Sequence, residues 1–177
     1  EEMGDSVSVE IVEFSSGKDV NTALAAGSID FGLEGSCPAS LAIAQDLGVE
    51  LIWIHEVLGD VESLVATGTS GINTVADLKG KKVAVPFAST AHFSLLKAME
   101  NAGLSASDVT VLDMQPDKIY ASWNSGDIDA AYIWEPTLSQ LSNKKTVITS
   151  GELAKAGYMT SNVEVVRTKF AEAHPDI

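Results

Sequence analysis

Short apolar runs alternate along this chain with amphipathic stretches, a pattern that predicts strands followed by helices. The apolar runs predict strands at 7–14, 29–33, 51–57, 62–66, 83–85, 109–113, 128–133, 147–149 and 162–167. Helical spacing predicts helices at 19–26, 39–47, 90–103, 117–123, 136–141 and 168–173. Because strands and helices alternate, we predict an α/β fold built on a parallel sheet.

The stretch 83–99 carries the clearest candidate chemistry. Its strand stops at Pro86, which has no N–H to donate to a sheet, and a helix begins at Ser89 and Thr90. Backbone N–H groups at a helix start, two hydroxyls and the positive end of the helix dipole favour an anion, with His92 one turn away. The simpler alternative is that Ser89 only caps the helix.

A second strand-to-helix loop has the same character. The strand at 29–33 runs into Gly35 and Ser36, where Ser36 suits a helix cap and Pro38 a first helical residue. Residues 26–32 and 125–131 also share a helix–Gly–acidic–strand pattern, which suggests two lobes of like construction or an ordinary joint used twice. In open α/β sheets, ligands bind where such loops gather at the carboxyl ends of strands.

The composition of the chain argues against several classes of partner and site. The chain has 177 residues and a net charge of −14, which makes nucleic acid and anionic membrane poor partners. Its single cysteine, Cys37, excludes a disulfide framework and a cysteine-rich metal site, and we predict no cofactor and no metal. No apolar run reaches the roughly 18 residues of a membrane span. Because the chain opens at Glu1 without a targeting segment, we expect a piece of a longer protein.

Four runs together carry a family resemblance: VNTALAAGSIDFGLEGSCP, GKKVAVPFASTAHFSLL, ASWNSGDIDAAYIWEP and VVRTKFAEAHPD. They resemble the nitrate/sulfonate/taurine branch of periplasmic substrate-binding proteins of ABC importers, in particular its taurine- and alkanesulfonate-binding members. The resemblance covers nearly the whole chain.

The resemblance implies a type II periplasmic binding protein-like fold, with two α/β lobes joined by two crossing strands. Lobe one would comprise residues 1–67 plus 162–177, and lobe two residues 70–158. The crossings would fall at 62–67 and 160–165. Lobe one would be incomplete, since the family has further elements at both ends. The family's location would be periplasmic, with a signal peptide removed, or lipid-anchored at the surface of a Gram-positive cell.

The resemblance also implies a ligand site between the lobes. Gly35 and Ser36 would face Ser89 and Thr90 across the cleft as donors to a sulfonate, a permanent anion with three acceptor oxygens. Backbone N–H groups and hydroxyls match such a group without a full counter-charge.

Five further residues complete the expected site. His92 and Trp134 would line it, although Trp134 could equally be a packing aromatic. Taurine-type members can place an aspartate for the amine where this chain has Asn162. Glu135 or Glu56 could supply the carboxylate instead, or either could be structural.

We therefore expect a non-enzymatic receptor for taurine or a related small sulfonate that delivers its ligand to the transmembrane subunits of an ABC permease, without inserting into the membrane itself. Another small organic anion is the nearest alternative. An enzyme like the thiamine-pyrimidine synthases is less favoured, since these carry a cysteine-rich motif and this chain has only Cys37. A sensing domain of a regulator would need a helix-turn-helix segment.

Overall fold

The computed structural model describes residues 7–177. In that range the helices are Gly17–Ala26 (α1), Ser36–Ala44 (α2), Thr90–Asn101 (α3), Pro116–Ser125 (α4), Thr137–Gln140 (α5), Ser150–Lys155 (α6) and Thr168–Ala173 (α7). The strands are Phe31–Gly35 (β1), Val49–Val57 (β2), Glu62–Thr67 (β3), Lys82–Val85 (β4), Thr110–Asp113 (β5), Ala130–Trp134 (β6), Lys144–Thr149 (β7) and Ser161–Arg167 (β8). The α/β class predicted from the sequence is confirmed.

The strands form two sheets. One has the order β1-β8-β2, and β8 runs antiparallel to both of its neighbours. The other has the order β5-β4-β6-β3-β7, in which β4 is parallel to β5 and β6 while β3 is antiparallel to β6 and β7. The prediction of a parallel sheet is therefore wrong for most strand pairs. The prediction failed because β3 lies between β6 and β7, and β8 between β1 and β2. Each inserted strand is far in sequence from both of its neighbours, and a local pattern of apolar residues does not reveal such pairings.

The described chain passes between the sheets twice, from β2 to β3 and from α6 to β8. Among the described strands, β3 pairs only with β6 and β7 of the five-stranded sheet. A boundary drawn by sheet membership would therefore fall before Glu62, and not after Thr67 as in the lobe division expected from the resemblance. The division into two lobes itself stays a prediction.

Two local predictions are wrong. Residues 7–14 pair with no strand among those described, and Val9 and Ile11 are 71% and 92% exposed. Alternation alone does not make a strand, because a strand also needs a neighbour with which to form hydrogen bonds. The sequence analysis also missed α6. Its signal was present as a capping box in which Thr149 and Glu152 bond each other's backbone N–H groups.

The main core fixes the position of α3. On one face of the five-stranded sheet, Leu64 and Tyr132 pack against Leu95 and Met99 of α3, and all four are almost fully buried. A second apolar cluster covers the opposite face and a third lies under the three-stranded sheet. Because side chains alternate between the faces of a strand, both faces of β3 and β6 are buried. This packing holds the N-terminus of α3 at the carboxyl end of β4.

Candidate functional site

A cavity of about 400 Å³ lies between the two sheets. Six of the eight site residues predicted from the sequence line it: Gly35, Ser89, Thr90, Trp134, Glu135 and Asn162. Two others, Ser36 and His92, do not line it. The remaining lining residues are Phe14, Ser15, Ser16, Gly17, Val20, Leu33, Glu34, Pro38, Glu56, Leu58, Val61 and Glu62.

The start of α3 forms one wall of this cavity. The Ser89 hydroxyl accepts from the His92 N–H at 3.1 Å, as an N-cap does, and donates to the Pro86 carbonyl at 2.6 Å. The Thr90 hydroxyl donates to a Glu62 carboxylate oxygen at 2.5 Å. Both hydroxyl hydrogens are therefore used within the protein. The donors left for an anion are the N–H groups of Thr90 and Ala91, which have no helical acceptor.

The start of α1 also lies at the cavity, which the sequence analysis did not foresee. The Val20 N–H makes the first i→i−4 bond, to the Ser16 carbonyl at 3.2 Å, so the N–H groups of Gly17 and Lys18 have no helical acceptor. A Cβ at Gly17 would lie 2.5 Å from Pro38 Cγ, so this close approach requires glycine. The only sequence signal was the Ser16-Gly17 pair shortly before the helix predicted at 19–26.

Gly35 lets the start of α2 lie against Thr90 at the start of α3. It is the N-cap of α2, which places the helix start at Ser36, so the predicted cap at Ser36 is wrong by one residue. A Cβ at Gly35 would lie 2.8 Å from Thr90 Cγ2. The Ser36 hydroxyl accepts from the Ser161 N–H at 3.2 Å and so ties α2 to the start of β8.

His92 supports the loop before α3. Its Nδ1 accepts from the Ala88 N–H at 3.3 Å, and its ring stacks on Phe87 at 4.3 Å between centroids and 2° between planes. Ala88 has a φ of 62°, in the left-handed region. Burial lowers the pKa of His92, which favours the neutral ring that the Ala88 bond needs. His92 thus holds an uncommon backbone conformation in place.

Glu135 and Glu56, the two carboxylates that were candidates for binding an amine, already accept hydrogen bonds within the protein. Glu135 accepts from the Ser139 N–H at 2.9 Å and from its hydroxyl at 2.7 Å. Glu56 accepts from the Asn162 side-chain amide at 2.9 Å. Trp134 is half-buried and packs against apolar clusters on both faces of its sheet as well as lining the cavity.

Glu62 is a buried carboxyl group that the sequence analysis did not select. It is 1% exposed and accepts from the Thr90 and Ser150 hydroxyls, the latter at 2.7 Å. Burial raises its pKa, and the two hydroxyl bonds act in the opposite direction. At the start of an apolar strand it gave no sequence signal of burial.

Glu34 differs from the other carboxyl groups in the cavity. It is 5% exposed, and neither of its oxygens has a hydrogen-bond partner within the described residues. Burial raises its pKa to about 8. Its Oε2 lies 3.1 Å from the position that a Cβ on Gly17 would take, beside the start of α1. The only sequence signal was a glutamate directly before Gly35.

The charges of the cavity are unevenly distributed. Its described lining contains four glutamates and no lysine, arginine or histidine. Its positive potential comes instead from the first turns of α1, α2 and α3. This arrangement can bind an anion through N–H groups and a cation through a carboxylate. Within 7–177, no three His, Cys, Asp or Glu side chains gather to hold a metal ion. None of the described helices is long and apolar enough to cross a bilayer.

Comparisons with known proteins point to one family. The family model described as NMT1/THI5 like matches residues 4–177. The chain is 40% identical to the taurine-binding periplasmic protein of Escherichia coli K12 over 166 residues, which is 93% of this chain and 51% of that protein. It is 34% identical to a putative aliphatic sulfonates-binding protein of Bacillus subtilis 168 over 172 residues, 96% of this chain and 51% of that protein.

A solved structure agrees with these relatives. The alkanesulfonate-binding protein SsuA of Xanthomonas axonopodis pv. citri, bound to MOPS, superposes with a TM-score of 0.78 at 29% identity. The match covers 92% of this chain and 56% of that one. The chain thus spans about half the length of the curated relatives it matches.

Proposed function

This chain belongs to the NMT1/THI5-like family, and from that premise we propose that it is the ligand-binding part of an extracytoplasmic receptor for taurine or a related small sulfonate. One observation carries the proposal. Helices α1 and α3 begin at the same cavity, with N–H groups that have no helical acceptor and no basic side chain among its described lining. The names of the relatives, taurine- and sulfonate-binding proteins, support the same ligand class.

The physical fit is with a small anion of fixed charge. A sulfonate stays ionised at all ordinary pH values and presents three acceptor oxygens. N–H groups from two helix starts can bind those oxygens from two sides without the desolvation cost of a buried lysine or arginine. Because α1 packs with the three-stranded sheet and α3 with the five-stranded one, an anion bound to both helix starts would link the two sheets.

The proposed receptor would release its ligand to the transmembrane subunits of an ABC permease. Closure of two lobes about the connections at β2–β3 and α6–β8 is the motion that this architecture favours. The periplasmic names of the relatives support an extracytoplasmic location. In a Gram-positive source, the receptor would instead be lipid-anchored at the cell surface.

Two other functions are less well supported. Another small organic anion would use the same N–H groups, so it is the nearest alternative. For an enzyme, Cys37 is the obvious nucleophile, but it is half-buried and desolvation raises its pKa to about 11. A thiol with that pKa is almost wholly protonated at neutral pH, and only the thiolate is a good nucleophile.

Calorimetry would test the proposed function. We would titrate the chain with taurine, a longer alkanesulfonate, sulfate and a small dicarboxylate. We expect one-to-one binding of at least one sulfonate, and weaker or no binding of the dicarboxylate. Binding of the dicarboxylate in preference to every sulfonate would contradict the proposal and favour the organic-anion alternative.

A further inference from the structure

We propose that Glu34 binds a protonated amine of the ligand, so that the receptor selects aminoalkanesulfonates over plain alkanesulfonates. This inference rests on the proposed function, which it makes more specific. It assigns to Glu34 the contact that the sequence analysis sought in Glu135 or Glu56. The helix starts would hold the sulfonate, and Glu34 would hold the other end of the molecule.

The other carboxyl groups of the cavity already accept hydrogen bonds from protein groups. Glu135 accepts two bonds from Ser139, Glu62 accepts from two hydroxyls, and Glu56 accepts from Asn162. Among the residues that the structure describes, Glu34 has no hydrogen-bond partner on either oxygen. It is therefore the group in this cavity that gains most from a cationic donor.

Burial without a hydrogen-bond partner destabilises the Glu34 carboxyl group. A carboxyl group that is 5% exposed and makes no hydrogen bond has lost its hydration without replacement. An ammonium group offers three N–H donors and a compensating charge. Native structures rarely keep such a group buried without a partner, and here the side chain lines a cavity large enough for the partner to be a ligand.

Glu34 also lies beside two helix starts. It directly precedes Gly35, the N-cap of α2, and its Oε2 lies beside Gly17 at the start of α1. The amine site would therefore lie next to the N–H groups that would bind the sulfonate. A short spacer between the two charged groups of the ligand suits this proximity.

Charge balance favours the same ligand class. A plain alkanesulfonate would bring one negative charge into a cavity that has no described basic side chain and in which Glu34, when ionised, is a further negative charge. An aminoalkanesulfonate carries no net charge and presents its positive end to Glu34. Since like charges at close range disfavour each other, the zwitterion is the better match.

The inference predicts the pH dependence of binding. Because the pKa of Glu34 is raised to about 8, an ammonium ligand must bind the ionised minority form at neutral pH. Affinity should then rise by up to about tenfold per pH unit between pH 6 and 8. The other charged or titratable groups that line the cavity or adjoin Glu34 are Glu56 on β2, Glu62 on β3, Glu135 after β6, Asp19 on α1 and Cys37 on α2.

The test compares taurine with 2-hydroxyethanesulfonate, which replaces the amine by a hydroxyl, in the chain and in Glu34→Gln. We expect the unmodified chain to prefer taurine, and E34Q to weaken taurine binding about tenfold or more while changing hydroxyethanesulfonate binding about twofold or less. The matched control is Glu50→Gln, which removes the same charge from an exposed position on β2 outside the cavity. It should change neither affinity.

Specific results would overturn the inference while the proposed function stands. These are equal binding of the two sulfonates by the unmodified chain, or unchanged taurine affinity in E34Q. A taurine affinity that falls as pH rises would also overturn it, because Glu34 would then act as a neutral acid that donates to the sulfonate. The pH profile needs no variant, and Glu34→Met is a second test if E34Q does not fold.

Failure of the proposed function would be seen separately. If no sulfonate binds, β-alanine decides the role of Glu34, since it keeps the amine and carries a carboxylate in place of the sulfonate. Binding of β-alanine that is lost in E34Q would support the amine contact. Absent binding, or binding that E34Q leaves unchanged, would overturn it.

Discussion

At the scale of single residues, the cavity depends on side chains and glycines whose roles come from contacts made across the fold. Ser89 and Thr90 use their hydroxyl hydrogens on Pro86 and Glu62, so under the proposed function the α3 start would bind the ligand through its backbone N–H groups. Gly35 allows the start of α2 to lie against Thr90 at the start of α3. Glu34 is left without a partner, and two predictions follow at this scale.

The first prediction concerns stability against pH. Burial raises the pKa of Glu34 from its ordinary value of 4.5 to about 8, so the folded state holds its proton more tightly. The stabilising effect is complete below about pH 4.5 and is lost as pH rises towards 8. Glu34→Gln should therefore gain free energy of unfolding relative to the unmodified chain as pH rises through this window.

Urea unfolding at several pH values within that window would measure the difference. The raised pKa of Glu62 acts in the same direction but is common to both proteins, so it cancels. A constant difference between E34Q and the unmodified chain across the window would contradict the prediction.

The second prediction concerns Gly35. Its φ of −71° is open to any residue, so the effect of Gly35→Ala should come from the 2.8 Å approach to Thr90 Cγ2. Thr90 is buried and bonded to Glu62, so it cannot move freely. We expect a loss of about 1–3 kcal/mol in free energy of unfolding, together with weaker ligand binding.

The control for this substitution is Gly59→Ala, because a Cβ at Gly59 would meet nothing within 4 Å and Gly59 does not line the cavity. Denaturant unfolding and calorimetry should show little change there. Equal effects at Gly35 and Gly59 would mean that the contact with Thr90 is not the cause.

At the scale of elements, helix starts determine what the cavity can bind. The capping contact of α3 is local, and the position of its first turn is set by packing against the five-stranded sheet. The same chemistry recurs at α1, whose first residues also line the cavity. Each helix contributes N–H groups and a positive dipole end to a cavity whose described lining has no basic side chain.

Substitutions at the α3 cap should separate helix stability from anion binding. Ser89→Ala removes the acceptor for the His92 N–H and should cost about 1 kcal/mol of stability. Ser89→Asp keeps an acceptor at the cap and should retain most of that stability. Its negative charge at the helix start should nevertheless weaken sulfonate binding about tenfold.

Thermal unfolding and calorimetry on both variants would check this. If S89D binds the sulfonate as tightly as the unmodified chain, the anion does not lie at the start of α3. The proposed function would then depend on α1 and α2 alone.

At the scale of the whole molecule, the cavity that we propose as the ligand site exists because the chain crosses between two sheets. Glu34, Glu56 and Asn162 come from the three-stranded sheet, while Thr90 and Trp134 come with the five-stranded one. A ligand bound to both sides would hold them together. Binding should therefore stabilise the whole fold.

Ligand linkage gives the size of this effect. A sulfonate at about 100 times its dissociation constant should add about 2.7 kcal/mol to the free energy of unfolding. For a chain of this size that corresponds to a rise of roughly 5–10 °C in Tm. Differential scanning calorimetry with and without taurine would measure it. A rise in Tm clearly smaller than the one calculated from the calorimetric Kd would contradict this prediction, and binding of the ligand to the unfolded chain would be one cause.

The sequence by itself determined the α/β class, most element positions and the local features near the site. The cap at Ser89 and the glycine ends of α1 and α4, at Gly27 and Gly126, involve residues only a few positions apart, so they could be predicted from local spacing. The resemblance placed six of its eight site residues at one cavity.

Only the tertiary structure decided the strand order, the absence of pairing at residues 7–14, and the state of Glu34. Strand pairing depends on which distant segment lies alongside, and β8 enters between β1 and β2 from more than a hundred residues away in sequence. The burial of Glu34 likewise arises from α1 and α2 packing around it, with Gly17 in close contact. Pairing and desolvation are properties of three-dimensional neighbours, and a pattern of polar and apolar positions does not specify those neighbours.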